Sequence, residues 1–103
     1  MEHHQLVAEN VTYYSSGDER AFFEWLRSIA CIKDTKGIGR ELIISLARTP
    51  SDDELRELIG LFYRYNIDMH QLAAFVSDAN QIWLRKADSY WFERMFEQPP
   101  ISN

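Results

Sequence analysis

Few residues of this chain have the types and the spacing that metal binding or catalysis requires. His3, His4 and His70 are its histidines, and none stands at metal-ligand spacing with another histidine, a cysteine or a carboxylate on one predicted helix face. Cys31 is the only cysteine, and we interpret it as a small buried hydrophobic residue because no histidine is fixed beside it. The sequence therefore predicts no catalytic residue, no metal site and no cofactor, and we expect a protein that is not an enzyme.

Two segments look like ligand-binding motifs but have simpler structural explanations. Gly37-Ile38-Gly39 could cradle a phosphate, but it joins two predicted strands and lacks a following helix N-terminus, so we interpret it as a hairpin turn. The acidic run Ser51–Glu54, with Glu57, is explained mainly by helix capping and by the helix dipole. The alternative that stays open is that the same solvated acids also steer a cationic partner.

Length and composition indicate one α+β domain over residues 1–103. Hydrophobic residues make up 46% of the chain and aromatic residues 14%, which is enough to fill a core without disulfides. The formal net charge of −5 argues against nucleic-acid binding, which needs a surplus of Lys and Arg. No apolar run approaches the ~18 residues of a membrane span, and the N-terminus does not resemble a signal peptide. We therefore expect a cytoplasmic protein that binds neither nucleic acid nor membrane.

Hydrophobic periodicity predicts the element order β-α-β-β-α-α-α. The strands are predicted over residues 6–14, 30–36 and 40–47, and the helices from the Ser15–Glu19 start signal to Ile29, from the Ser51 cap to Tyr65, over 69–76 and over 79–97. Either Ser15 or Ser16 can cap the first helix. The capping box of Ser51 with Glu54 is the clearest boundary in the chain.

The strand over residues 40–47 is apolar on both faces, which is typical of an interior strand. A strand-helix-strand crossover makes the first two strands parallel to each other, and the hairpin makes the third antiparallel to both. These constraints predict a three-stranded antiparallel sheet in the order 1-3-2, packed with about four helices.

The predicted last helix carries more apolar residues than one buried face needs. Residues placed at intervals of roughly 100° put Ile82, Phe92 and Phe96 largely outside the apolar arc of that helix, which consists of Trp83, Leu84, Ala87, Tyr90, Trp91 and Met95. Surplus aromatic residues are typical of interfaces, although core packing is an alternative. We combine these residues with the exposed face of the second helix into one hypothetical partner-binding set: Asp53, Arg56, Glu57, Arg64, Ile82, Phe92 and Phe96.

The chain resembles small acidic bacterial immunity proteins in the stretches AFFEWLRSI, GIGRELIISL and SDDELRELIGLFYRYNIDMHQLAAF. Many such proteins are encoded beside polymorphic or contact-dependent growth-inhibition toxins. The resemblance implies a cytoplasmic inhibitor that binds one toxin domain, often a nuclease with a basic cleft, and covers or distorts its active site. It implies no particular binding residue, because it offers no residue-level motif.

We therefore expect a non-catalytic protein-binding module whose partner is a basic toxin domain. A second hypothesis is a homodimeric structural or regulatory module that pairs through its C-terminal helix, and it predicts a dimer disrupted by Phe92→Glu. A third is a small enzyme that uses carboxylates and His70, and it predicts a cleft holding a strongly perturbed acid.

Overall fold

The computed structural model describes residues 5–97, so His3 and His4 lie outside the described residues. In chain order the elements are β1 (Gln5–Glu9), α1 (Ser16–Ser28), β2 (Ile32–Ile38), β3 (Glu41–Leu46), α2 (Asp52–Arg64), a 3-10 helix (His70–Phe75), α3 (Gln81–Leu84) and a π-helical turn (Glu93–Glu97). The predicted α+β class is confirmed. Within residues 5–97, no helix has the length and apolar character that would let it cross a membrane.

The strand order is β1-β3-β2, and both neighbouring pairs are antiparallel, as predicted. Ile44 and Leu46 of β3 are fully buried, whereas Ile43 and Ser45 on the other face are partly exposed. The buried face joins one core cluster with residues of both long helices, including Phe22 and others: Leu26, Leu55, Leu58, Ile59, Leu61 and Phe62. A strand that pairs on both sides leaves no backbone group of its own to solvent, which is why its apolar sequence fits the centre.

The first strand is shorter than predicted, because Asn10 adopts a left-handed conformation with φ 53°. The Asn10 N–H still donates to the carbonyl of Arg40 at 3.0 Å, but the chain then leaves the sheet. Leu6 and Ala8 are the buried residues of β1, which corrects the predicted strand over 6–14. A single residue with positive φ ends the strand, and asparagine adopts that conformation more readily than most residues.

The hairpin between β2 and β3 is tighter than predicted. Ile38 pairs with Glu41, so only Gly39 and Arg40 form the turn, and Gly37 belongs to the strand. Gly39 has φ 61°, whereas Arg40 does not have a positive φ, as in a type II′ turn. Only one of the two predicted turn glycines is therefore needed for its backbone freedom.

Both long helices begin with side-chain caps. Ser15, rather than Ser16, caps α1 by accepting a hydrogen bond from the Asp18 N–H. At α2 the predicted capping box is confirmed, since Ser51 accepts from the Glu54 N–H at 3.2 Å and the Glu54 carboxylate accepts from the Ser51 N–H at 2.8 Å. Together these bonds satisfy N–H groups that the first turn of a helix cannot pair internally.

The predicted helix over residues 79–97 is wrong, because the chain forms the short α3 and the π-helical turn with turns between them. The Trp91 indole Nε1–H donates to the Leu84 carbonyl at 2.8 Å, which closes the end of α3 and folds the chain back. The Ser89 hydroxyl donates to the Lys86 carbonyl at 2.8 Å. Side-chain bonds of this kind compete with helical backbone bonds. Leu84 and Met95 become buried as a result.

The predicted helix over residues 69–76 is present as the 3-10 helix. Its Gln71 side chain binds the backbone of β1 at the edge of the sheet. The Gln71 side-chain carbonyl accepts from the Val7 N–H, and its amide donates to the Val7 carbonyl, both at 2.9 Å. The same amide donates to the Asp68 carbonyl at 2.8 Å. One glutamine therefore takes the place of a neighbouring strand at Val7, the central residue of β1.

We expect Gln71→Ala to lower the free energy of unfolding by about 1–3 kcal/mol, because Val7 loses both backbone partners at a partly buried position.

Gln71→Glu is a sharper test of the same hydrogen bonds. At pH 7 its carboxylate can accept from the Val7 N–H but faces the carbonyls of Val7 and Asp68. Below about pH 4 the protonated group can donate again, so the deficit relative to wild type should shrink. Urea unfolding of wild type and variant at both pH values measures this stability deficit. An equal deficit at both pH values would contradict the hydrogen-bonding role of Gln71 at the edge of β1.

Glu54 should make stability depend on acid pH. Its hydrogen bonds with the Arg48 guanidinium, followed by that with the Ser51 backbone, lower its pKa from 4.5 to about 2. The charged form therefore stabilises the fold above about pH 4.5, and this contribution is lost as the pH falls towards 2. We expect Glu54→Gln to cost about 0.5–1 kcal/mol at pH 7 and progressively less in acid. Asp53→Asn is the matched control in urea unfolding, and a deficit that stays constant with pH would refute the linkage.

Candidate functional site

Gly60 lies in the middle of the outer face of α2, and two aromatic side chains approach it. A Cβ atom at Gly60 would lie 3.4 Å from Cζ2 of Trp25 and 3.7 Å from the hydroxyl oxygen of Tyr90. The Trp25 Nε1–H donates to Glu57 Oε1 at 2.8 Å, which fixes the indole of α1 against α2. Aromatic side chains from two distant segments therefore approach the same position on α2.

The N-terminal part of the same helix face is covered by Trp83. The Arg56 guanidinium lies 4.0 Å from the centre of the Trp83 ring, and the Trp83 Nε1–H donates to Asp52 Oδ2 at 3.2 Å. Trp83 also contacts Trp91 edge-on, with ring centres 6.1 Å apart. Trp83 is therefore held in place by Asp52 and Arg56 of α2 and by the ring of Trp91.

The C-terminal part of the face is covered by a pair of tyrosines. Tyr90 contacts Trp91 at 5.0 Å and Tyr63 at 4.9 Å between ring centres, both edge to face. The Arg94 guanidinium lies 4.4 Å from the Tyr63 ring and donates to the Asn66 side chain at 2.8 Å. Burial, followed by the neighbouring Tyr63 and the Glu57 carboxylate, raises the pKa of Tyr90, which keeps its phenol protonated.

Four of these rings contact one another in series, and the fifth, Trp25, lies beside them at Gly60. We name the set the aromatic surface: Trp25, Tyr63, Trp83, Tyr90 and Trp91. Tyr90 is 54% exposed and Tyr63 39% exposed, whereas the three tryptophans are partly buried against the core. Tryptophan, tyrosine and arginine are the residues most enriched at the energetic centre of protein interfaces. Each ring contacts another ring or donates a hydrogen bond in the unbound protein, which reduces the side-chain entropy lost on binding.

Carboxylates border this surface, and we name Asp52, Asp53 and Glu57 the acidic rim. The Asp53 side chain is 98% exposed, and its pair with Arg56 is long, at 3.6 Å. Asp52 and Glu57 are also exposed, although each accepts one indole N–H. Glu54 is different, because the capping box and Arg48 engage its carboxylate. Three of the four acids in this region are therefore available to attract a cation.

The structure brings together part of the predicted partner-binding set and separates the rest. Asp53, Arg56 and Glu57 lie at the aromatic surface. Arg64 instead lines a polar depression with other residues, namely Asn10, Thr12, Tyr14, Asp18, Tyr65 and Asn66. Ile82 is 86% exposed on α3, next to Trp83 in the chain.

Phe92 and Phe96 form a separate pair in the C-terminal segment. Their ring centres are 5.3 Å apart, and the Arg85 guanidinium lies 4.5 Å from the Phe96 ring. Both residues are partly buried, and Phe96 packs against the core. These contacts account for much of their apolar surface, so they offer less to a partner than the aromatic surface does.

The sequence places Trp83, Tyr90 and Trp91 in the buried arc of a continuous last helix. Helix α3 ends at Leu84 instead, and the three rings lie along the outer face of α2. One local signal could have found the site. A glycine inside a helix costs about 1 kcal/mol relative to alanine, so Gly60 in the middle of α2 marks a position at which to look for a neighbouring group.

Cys31 and Glu9, which could in principle take part in chemistry, lie outside the aromatic surface. Cys31 is buried, and burial raises the pKa of its thiol, so a thiolate is disfavoured. The hydrogen bond and repulsion from Glu41 raise the pKa of Glu9 beside an open depression that Asp68 also lines. Both glutamates are exposed on the sheet, where water screens them. Among residues 5–97, no three His, Cys, Asp or Glu side chains are grouped so that they could hold a metal ion.

Comparisons with protein-family models, with curated proteins and with solved structures find no match.

Proposed function

We propose that this protein is a non-catalytic binding module that acts in the cytoplasm as an immunity protein and neutralises a basic toxin domain, of which a nuclease is the best-fitting class. The aromatic surface is the observation that carries the proposal. It combines Trp and Tyr rings with Arg56 and is bordered by the acidic rim. This composition is that of an interface centre with a charged periphery.

Electrostatics support a basic partner in particular. The chain has a formal net charge of −5, and the acidic rim lies next to the aromatic surface rather than on a separate face. A nuclease cleft carries Lys and Arg side chains to bind phosphates. Such cations can be attracted by the rim during approach and can then lie against exposed ring faces in the complex.

The aromatic surface also favours a macromolecular partner over a small ligand. Its rings contact one another edge-on and close over Gly60, so they present ring edges and faces rather than a recess. The depressions around Asn10 and Asn66 lie elsewhere and are lined by polar side chains. An extended arrangement of rings is complementary to a protein surface, whereas small-molecule sites are concave.

The rival hypothesis of a dimer paired through a continuous C-terminal helix lacks that element, since α3 ends at Leu84. Exposed Ile82 lies on a helix of 4 residues. A helix-pairing interface needs several turns with a repeating apolar stripe. The proposed function therefore uses the aromatic surface instead.

We expect Tyr90→Ala to weaken binding to the cognate toxin domain by about 30-fold or more, as at other interface centres. The partner to purify is the product of the neighbouring upstream gene, and calorimetry together with an inhibition assay gives the dissociation constant and the loss of toxin activity. Tyr14→Ala is the matched control, because Tyr14 is 90% exposed outside the aromatic surface. It should change affinity less than twofold.

Two results would count against this proposal. If the purified neighbour neither binds nor is inhibited, the assignment as an immunity protein fails. If it binds but Tyr14→Ala and Tyr90→Ala weaken binding equally little, the partner uses another surface. Gly60→Val provides a second disruption, because its side chain would push Trp25 and Tyr90 apart without removing either ring.

The acidic rim should control the rate of association more than the rate of dissociation. We expect the double variant Asp53→Asn/Glu57→Gln to lower the association rate constant about 3- to 10-fold at 50 mM salt, and less than about twofold at 0.5 M salt, where screening is strong. The new amide at position 57 can still accept the Trp25 N–H. Stopped-flow fluorescence measures the rates, with Glu41→Gln on β3 as the control. A salt-independent effect would refute steering by the rim.

A further inference from the structure

The outer edge of β2 has no neighbouring strand within the described residues, since the strand order places β2 at one end of the sheet. From Lys33 to Ile38 every residue is exposed. A β-bulge at Lys33 separates this stretch from Ile32, because the register shifts between Ile32 and Asp34. The two sheet edges therefore differ: Gln71 covers β1, whereas the edge of β2 is open.

The register shows which backbone groups of β2 point outwards. On the β1 side, Val7 directs its N–H and carbonyl to Gln71, so its partner Ile43 directs its own groups towards β2. Ile43 pairs with Lys36, which therefore faces β3. Alternation along the strand then leaves the N–H and carbonyl of Thr35 facing outwards.

We propose that two copies of this chain pair antiparallel along their β2 edges, with the two-fold axis at Thr35, so that one sheet continues through both copies. In this register Thr35 lies opposite Thr35 of the second copy, and the two residues exchange both of their outward hydrogen bonds. Asp34 lies opposite Lys36 of the second copy, and Lys36 lies opposite its Asp34. Two-fold symmetry thus gives two opposite-charge pairs from one pair of residues.

Charge selects this register over its neighbours. A two-fold axis at Asp34 or at Lys36 would place that charged residue opposite itself. An axis at Gly37 would bring the turn at Gly39 and Arg40 of one copy against the strand of the other and would lose strand pairing. Only the axis at Thr35 combines outward backbone groups with charge complementarity.

Two further features favour a closed dimer. The hairpin is locally rich in cations, with Lys33, Lys36 and Arg40 against Asp34 and Glu41. The net charge of −5 per copy therefore opposes association less here than at an acidic face. Because Gln71 pairs with both backbone groups of Val7 at the middle of β1, an added strand is blocked there in each copy, and we expect association to stop at two copies.

The test is the oligomeric state of the full chain by sedimentation equilibrium and by size-exclusion chromatography with light scattering. Wild type should dimerise reversibly in a concentration-dependent way. Thr35→Pro removes an outward N–H but no bond to β3, so it should remain folded by circular dichroism and become monomeric. D34K and K36D should each raise the dimer dissociation constant about tenfold or more, because each places like charges opposite one another twice.

A mixture of D34K and K36D gives the decisive result. One variant carries two lysines at positions 34 and 36 and the other two aspartates, so antiparallel pairing of one with the other restores opposite charges at both positions. The mixture should dimerise with a lower dissociation constant than either variant alone. The proposal is overturned if wild type stays monomeric up to millimolar concentration, or if it dimerises and neither Thr35→Pro nor the charge variants change its dissociation constant.

Discussion

The pairing of β3 on both of its edges constrains the rest of the molecule. Because β1 and β2 satisfy its backbone groups, β3 can be buried, and Ile44 and Leu46 become part of the core beneath the two long helices. Within the sheet, the backbone groups without a strand partner therefore lie on the outer edges of β1 and β2. Gln71 pairs with the backbone of Val7 at the middle of the β1 edge, whereas the residues along the β2 edge from Lys33 to Ile38 stay exposed.

The same strand also determines where α2 begins. Arg48, just after β3, binds Glu54 while Glu54 completes the capping box with Ser51, so the strand end and the helix start are joined through one carboxylate. The buried side of α2 is then fixed in the core, and its outer side becomes a rigid support. The aromatic surface is built on that support around Gly60. The binding role proposed for this surface depends on the packed fold beneath it rather than on a reactive group.

The aromatic surface and the β2 edge would bind their partners through different kinds of interaction. Rings that are already packed against one another give affinity through burial of apolar area with little loss of side-chain freedom. An open strand edge instead gives affinity through backbone hydrogen bonds, and specificity comes from the charges at alternate positions. The first suits a partner with its own shaped surface, and the second suits a copy of the same strand.

The sequence by itself determined the features that arise from neighbouring residues. The capping box of Ser51 and Glu54 and the buried stripe of α2 need only local spacing. The apolar character of both faces of β3, together with the crossover and the hairpin, predicted the strand order. Tertiary structure decided the rest. The left-handed Asn10 ends β1, the bond from Trp91 to Leu84 interrupts the predicted last helix, and Trp25 and Tyr90 both approach Gly60. Each of these depends on a contact or a backbone conformation that helix and strand periodicity does not encode, so only the folded chain brings the aromatic surface together.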